Sequence, residues 1–316
     1  MVSTSHALGD TSQLPNADAF IRKSNIETLI TALNANSDSA EDAIDHRLPM
    51  RLFATDRFPC RRLNIYSRPN ILTFLRHVLR GSSEFTRIRE SSFGKLFDLP
   101  LRQCPVSCKL IHCLLSRQLL SDDEHTLWTV FGSDPLKFGL EEFGTITGLN
   151  CGAFPEGYEP PDHNKKGSYK HKDAHKDSIW KRLIGKYNNI TIEMDEWRRI
   201  RLALLIIVDG VLIASQQIHR PTLRYVSMLD DLDAFLNFPW GRESFVHTVR
   251  CMKPPKFEKG KPVADLVRML VDKLKQESFR LTGFPLALQL LAFRAIPSLR
   301  LKIPVPLNEL IFMEHT

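Results

Sequence analysis

DEWRRIRLALLIIVDGVLIASQQ, residues Asp195–Gln217, decides the fold. Trp197, Ile200, Leu204, Ile207, Val208 and Val211 recur at helical spacing, and the middle of the stretch is apolar on every side. Such a helix has to be surrounded by protein or by lipid. The run Leu202–Ala214 is shorter than the roughly 20 residues that cross a bilayer, and Asp209 and Gly210 interrupt it. The spacing therefore predicts the central core helix of a mainly α, helical globular domain, with no membrane span.

Upstream, Pro69 opens a helix that carries Ile71, Leu72, Leu75, Val78 and Leu79 on one face, and Gly81 stops it. Further helices are expected at Ser83–Arg89 and at about Val106–Leu120. Leu127-Trp128-Thr129-Val130-Phe131 is rich in β-formers, and Gly132-Ser133-Asp134-Pro135 turns it back. A small β-hairpin is expected near residues 127–138, followed by a short helix from Leu140 to Thr147 that Gly148 closes. Downstream, helices are expected at Tyr225–Leu236, Arg242–Met252, Ala264–Leu281 and Pro285–Ala295. Three segments frame this body. Residues 1–47 form a polar N-terminal segment with one short helix, Ala19–Leu33. A basic loop inserts at about 152–178 within a domain of residues 48–300, and 301–316 form an irregular tail.

The totals are those of a globular chain: 43% hydrophobic and 25% charged, so a sizeable core is expected and wholesale disorder is not. The formal charge of +7 admits nucleic acid or another acidic partner without requiring one. Six cysteines at low density, with no apolar leader before Asn16, point to reduced thiols inside the cell.

Four stretches carry a family resemblance: Phe93-Gly94-Lys95-Leu96-Phe97, Phe138–Leu149 (FGLEEFGTITGL), Phe238-Pro239-Trp240-Gly241-Arg242 and Phe284–Phe293 (FPLALQLLAF). Together they resemble a plant domain of unknown function that recurs in transposon-derived proteins, often N-terminal to a cysteine protease domain of the ubiquitin-like-protein (SUMO) protease type. The last three resemble, more loosely, the aminotransferase-like plant mobile domain. The resemblance implies a helical fold, a mobile-element ancestry and a nuclear location. It implies no chemistry, because these motifs carry none. The chain stops at Thr316, so the protease domain of longer relatives is expected to be absent.

Candidate sites are few. Cys104, Cys108, His112 and Cys113 lie close in sequence, but His112 and Cys113 would diverge by about 100° on a helix, and no second pair with ligand spacing follows. Buried structural cysteines are expected, and no metal. His163, His171 and His175 are flanked by lysines that oppose a cation. Asp209, inside the apolar run, is either a tuned acid or base or a structural group that caps a helix or pairs with an arginine. The best basic patch is Lys165, Lys166, Lys170, Lys172, Lys176, Lys181 and Arg182, with Tyr169 and Trp180 interleaved. Lysines neutralise phosphates and aromatic faces stack on unpaired bases; the same composition also suits a solvated loop or a nuclear-import signal. Trp240 either anchors a tight interhelical junction or, if exposed, marks an interface. No nucleotide loop or nucleophile elbow is present, so no cofactor is expected. The expected function is a non-enzymatic interaction module that binds nuclear protein or nucleic acid. Two alternatives stand beside it: an enzyme with an unrecognised Asp/Cys/His site, and a degenerate transposon-derived product lacking its protease domain.

Overall fold

The computed structural model describes residues 63–101, 104–119, 121, 123, 125–131, 134–160, 194–217, 221–253 and 278–301. Among these, strand β1 (Leu63–Ile65) leads to helices α1 (Asn70–Val78) and α2 (Ser83–Glu90), a 3-10 turn (Gly94–Asp98) and α3 (Cys108–Ser116). The hairpin β2 (Leu127–Phe131) and β3 (Asp134–Phe138) follows, then α4 (Leu140–Thr147), α5 (Glu196–Ile207) and a π turn (Val208–Leu212). The described chain ends with α6 (Leu223–Met228), α7 (Leu232–Asn237), α8 (Trp240–Met252), β4 (Phe279–Leu281), α9 (Leu286–Ala295) and α10 (Pro297–Arg300). The fold is mainly α, as the periodicity demands. No helix among the described residues is long and apolar enough to cross a membrane.

Every residue from Leu202 to Ala214 is buried, so the decisive stretch is the core element that its all-round apolarity requires. It is not one uninterrupted α-helix. Its second half widens into the π turn, closed by Ile213 N–H donating to the Val208 carbonyl at 2.8 Å. The backbone there is also used from outside. Arg68 N–H donates to Gly210 O at 2.9 Å and Ser67 Oγ to Val211 O at 2.7 Å. These bonds fasten the segment between β1 and α1 to the turn.

Local signals explain most boundaries. Ser82 and Ser107 cap α2 and α3, accepting from Phe85 N–H and Leu110 N–H. In α4, Glu142 Oε2 accepts from Gly139 N–H at 2.9 Å, and Gly148, at φ 68°, ends the helix in the left-handed conformation.

Four departures from the sequence expectation have physical causes. The third helix ends at Ser116, because residues 117–119 peel away to extend the hairpin: Leu119 N–H donates to Trp128 O, and Val130 N–H to Arg117 O. The segment Tyr225–Leu236 is two helices, since Asp231 caps a new start by accepting from Ala234 N–H at 2.9 Å. Residues 279–281, expected as the end of a helix, are β4, paired in parallel with β1 (Leu63↔Phe279, Ile65↔Leu281). Pro297–Arg300, past the last helix expected from the sequence, forms a single turn of helix. The hairpin stands as expected, antiparallel with Leu127 opposite Phe138 and Phe131 opposite Asp134. The helix expected at 19–33 lies outside the described residues.

Candidate functional site

The four motif stretches converge on one aromatic core. Phe93 lies 6.4 Å from both Phe235 and Trp240. Trp240 packs against Tyr225 at 5.2 Å and against Phe235 and Phe238 at 4.7 Å, and its Nε1–H donates to Phe235 O at 2.7 Å. Phe143 touches Phe138, Phe245 and Phe284 with ring centroids 6.1, 5.6 and 6.5 Å apart. Glycines permit the closest approaches. The Lys95 side chain lies across Gly148, where a Cβ would meet its Cδ at 2.2 Å. Gly241 N–H donates to Asn150 O at 2.8 Å, and a Cβ at Gly241 would sit 2.5 Å from Cys151 Sγ. The motifs are therefore packing devices.

Trp240 is 0% exposed. Its indole and hydrogen bond are spent inside the junction, so the alternative that made it a partner-contact residue is corrected to a core anchor. Lys165, Lys166, Lys170, Lys172, Lys176, Lys181 and Arg182 lie outside the described residues.

Beneath the Trp240 junction is a buried polar cluster that the sequence did not single out. Glu243, on α8, is 0% exposed. Its Oε1 accepts from the Tyr158 and Tyr225 hydroxyls, each at 3.0 Å, and lies 3.5 Å from His247 Nε2 one turn along the helix. Its Oε2 is buried, with no hydrogen-bond partner among the described residues. Burial, reinforced by the charge of Glu243, pushes the Tyr225 phenol well above its usual range. Tyr158 belongs to an extended strap, residues 149–160, that crosses α8 and the α6–α7 region. Arg224 donates to Glu159 O and its guanidinium sits 4.0 Å over the Tyr158 ring, Arg242 donates to Gly152 O, and Asn150 Nδ2 donates to Asn237 O at 2.8 Å. The signal that could have found this cluster was Glu243 and His247 at i, i+4 on a helix whose first residues are Trp and Gly.

Asp209 resolves into the structural option. Its Oδ1 accepts from Thr222 Oγ1 at 2.6 Å and its Oδ2 from Thr222 N–H at 3.0 Å, which fixes the start of α6. Burial raises its carboxyl to about 7, against those two hydrogen bonds.

Of the cysteines, Cys104, Cys113 and Cys251 are buried, Cys151 is half-buried, and Cys108 is exposed, which corrects the expectation of burial for that residue. Burial pushes the Cys104 thiol up to about 12 and the Cys151 thiol to about 11, so neither carries a nucleophilic thiolate at neutral pH. No group of three or more His, Cys, Asp or Glu side chains among the described residues is placed to hold a metal ion.

The structure thus defines a mainly helical domain built on an aromatic core around a small buried acid–tyrosine–histidine cluster. Residues 115–251 match the family model of a domain of unknown function, DUF1985. The match contains two of the four motif stretches; Phe93–Phe97 and Phe284–Phe293 lie outside it and pack onto it. No curated protein and no solved structure matches the chain.

Proposed function

We propose that this chain is a non-enzymatic interaction module of transposon origin, engaging nuclear protein or nucleic acid through the basic segment Lys165–Arg182. The observation that carries this reading is where the motif residues go. They are consumed in packing, and Asp209 in capping, which leaves the lysine-rich segment as the densest concentration of binding chemistry in the sequence. In sequence the segment begins a few residues after Pro160, where the described strap ends. A chain of +7 formal charge gains counterion-release entropy when such lysines meet a polyanion.

The test is fluorescence anisotropy with single- and double-stranded nucleic acid over a salt titration. Wild type is compared with a K165A/K166A/K170A/K172A variant. Binding that weakens with salt and falls in the variant supports the nucleic-acid form of the proposal. No binding at low salt directs the search to a protein partner, by crosslinking from nuclear extract with the same variant as control. Equal capture by variant and wild type in both experiments rejects the basic segment as the site.

A further inference from the structure

Helix α1 turns a cationic, aromatic face to solvent. It buries Leu72, Leu75 and the following Leu79, and at about 100° per residue Asn70, Phe74 and His77 fall on the opposite side. Phe74 is 45% exposed in the middle of that side. Arg76 and Arg80, both exposed, run along its flank. The face meets no negative charge of its own. From Leu63 to Ser83 the chain holds Arg68, Arg76, His77 and Arg80, and no Asp or Glu. The next acid, Glu84, is buried against Arg199, and Asp98, in the turn that Arg76 reaches, is paired with Arg89. Arg80 has no ion pair among the described residues. Arg76 Nη2 donates to Phe97 O, which uses one of five guanidinium N–H donors. The helix macrodipole favours Arg76 and His77 in the last turn, but it gives no reason for a phenylalanine in water beside them.

We propose that this face of α1 binds single-stranded nucleic acid, with Phe74 as a stacking platform for an unpaired base and Arg76 and Arg80 as phosphate contacts. An exposed face with several cations and no acid complements a polyanion. The ring selects among polyanions. Bases in a duplex are already stacked on their neighbours, whereas an unpaired base can lie on an aromatic side chain. An outward helix face has no groove to take the side chains of an acidic peptide. Arg76 and Arg80 are one turn apart, roughly 6 Å along the axis, so their long side chains can reach neighbouring phosphates of one strand. The face is remote in sequence from Lys165–Arg182 and does not depend on that segment binding anything.

The test is fluorescence anisotropy of the full chain with a labelled oligo-dT strand and with a duplex of equal length, in low and then rising salt. Wild type should bind the single strand more tightly than the duplex. Phe74→Leu, which keeps an apolar side chain without an aromatic face, should weaken single-strand binding by about tenfold and leave duplex binding unchanged. Phe74→Trp should restore it. Arg80→Ala should weaken both and reduce the single-strand salt slope by about 0.7. The same substitutions in the K165A/K166A/K170A/K172A background should have the same relative effects, which separates this face from the lysine-rich segment. No single-strand binding at low salt overturns the proposal. So does binding that Phe74→Leu leaves intact, or an equal loss of single strand and duplex. Displacement of the strand by polyglutamate, with polyglutamate binding equally sensitive to Phe74→Leu, would assign the face to an acidic protein instead.

Discussion

Asp209 is the residue at which stability should depend on pH. Its carboxyl is ordinary in the unfolded chain, near 3.8, and about 7 in the native state. Between those values the native protein holds a proton that the unfolded chain has released, so stability is greatest at the acid end and declines as pH rises to about 7. The slope contributed by one such group is about 1.4 kcal/mol per pH unit. Asp209→Asn should flatten that decline. Urea midpoints measured from about pH 4 to about pH 8 would show this, and an unchanged slope would remove Asp209 as the cause. Gly241 is a matter of space. A Cβ there meets Cys151 Sγ at 2.5 Å, Asn150 O at 2.8 Å and Leu149 Cβ at 2.9 Å. Gly241→Ala should destabilise by roughly 1–3 kcal/mol. Adding Cys151→Ala should recover only part of that in thermal denaturation, because the Asn150 carbonyl is backbone and cannot step aside.

The helices are joined by a few strong polar ties that periodicity does not reveal. Arg199 of α5 and Glu84 of α2 form a buried ion pair, with side chains 9% and 4% exposed. Burial raises the Glu84 carboxyl, but its backbone bond and its bonds from Arg199 and Ser82 outweigh that and hold it below the usual carboxylate range. Arg199→Met should cost about 3–5 kcal/mol by leaving the buried carboxylate without the cation that offsets its charge. An Arg199→Met/Glu84→Met double variant should regain most of it, and denaturant titration of the three proteins decides. The helix positions, the hairpin and the glycine stops were legible because each rests on local chemistry: apolar spacing for α1, α4 and α5, β-formers around a turn for β2 and β3, Gly148 for the end of α4. What was illegible depended on partners distant in sequence. The parallel β1–β4 pair joins residues more than two hundred positions apart, and three-residue strands carry no period to detect. The end of α3 was set by the hairpin taking residues 117–119, and the Asp231 cap was hidden because the apolar residues on either side of it keep helical spacing. The buried cluster needed Tyr158, Tyr225, Glu243 and His247 to meet, and only the last two are close in sequence.

At the scale of the molecule, the segment that matches the domain of unknown function, residues 115–251, does not close its own core. Phe93 comes from before it and supplies one wall around Trp240 and Phe235. Phe284 comes from after it and meets Phe143 edge to face, and its N–H donates to Thr248 Oγ1 at 2.8 Å. Gln289 on α9 bridges Pro105 O and Ser107 N–H at 2.9 and 2.8 Å, binding the two flanks to each other across the core. α5 packs against α1 and α2, both of which precede the matched segment. Cutting the chain to residues 115–251 would expose the faces of Trp240, Phe235 and Phe143 together, and each large side chain returned to water forfeits roughly 1.5–3 kcal/mol. Several such losses exceed the few kcal/mol of margin that a domain of this size holds. The fragment should therefore keep helical far-UV circular dichroism, bind a hydrophobic dye and lack a near-UV signal from Trp240. The full chain should unfold in one cooperative step with coincident near- and far-UV transitions. A fragment with a sharp transition of its own would mean that the flanks decorate an autonomous unit, and the shared aromatic core would then be an interface between two folding units.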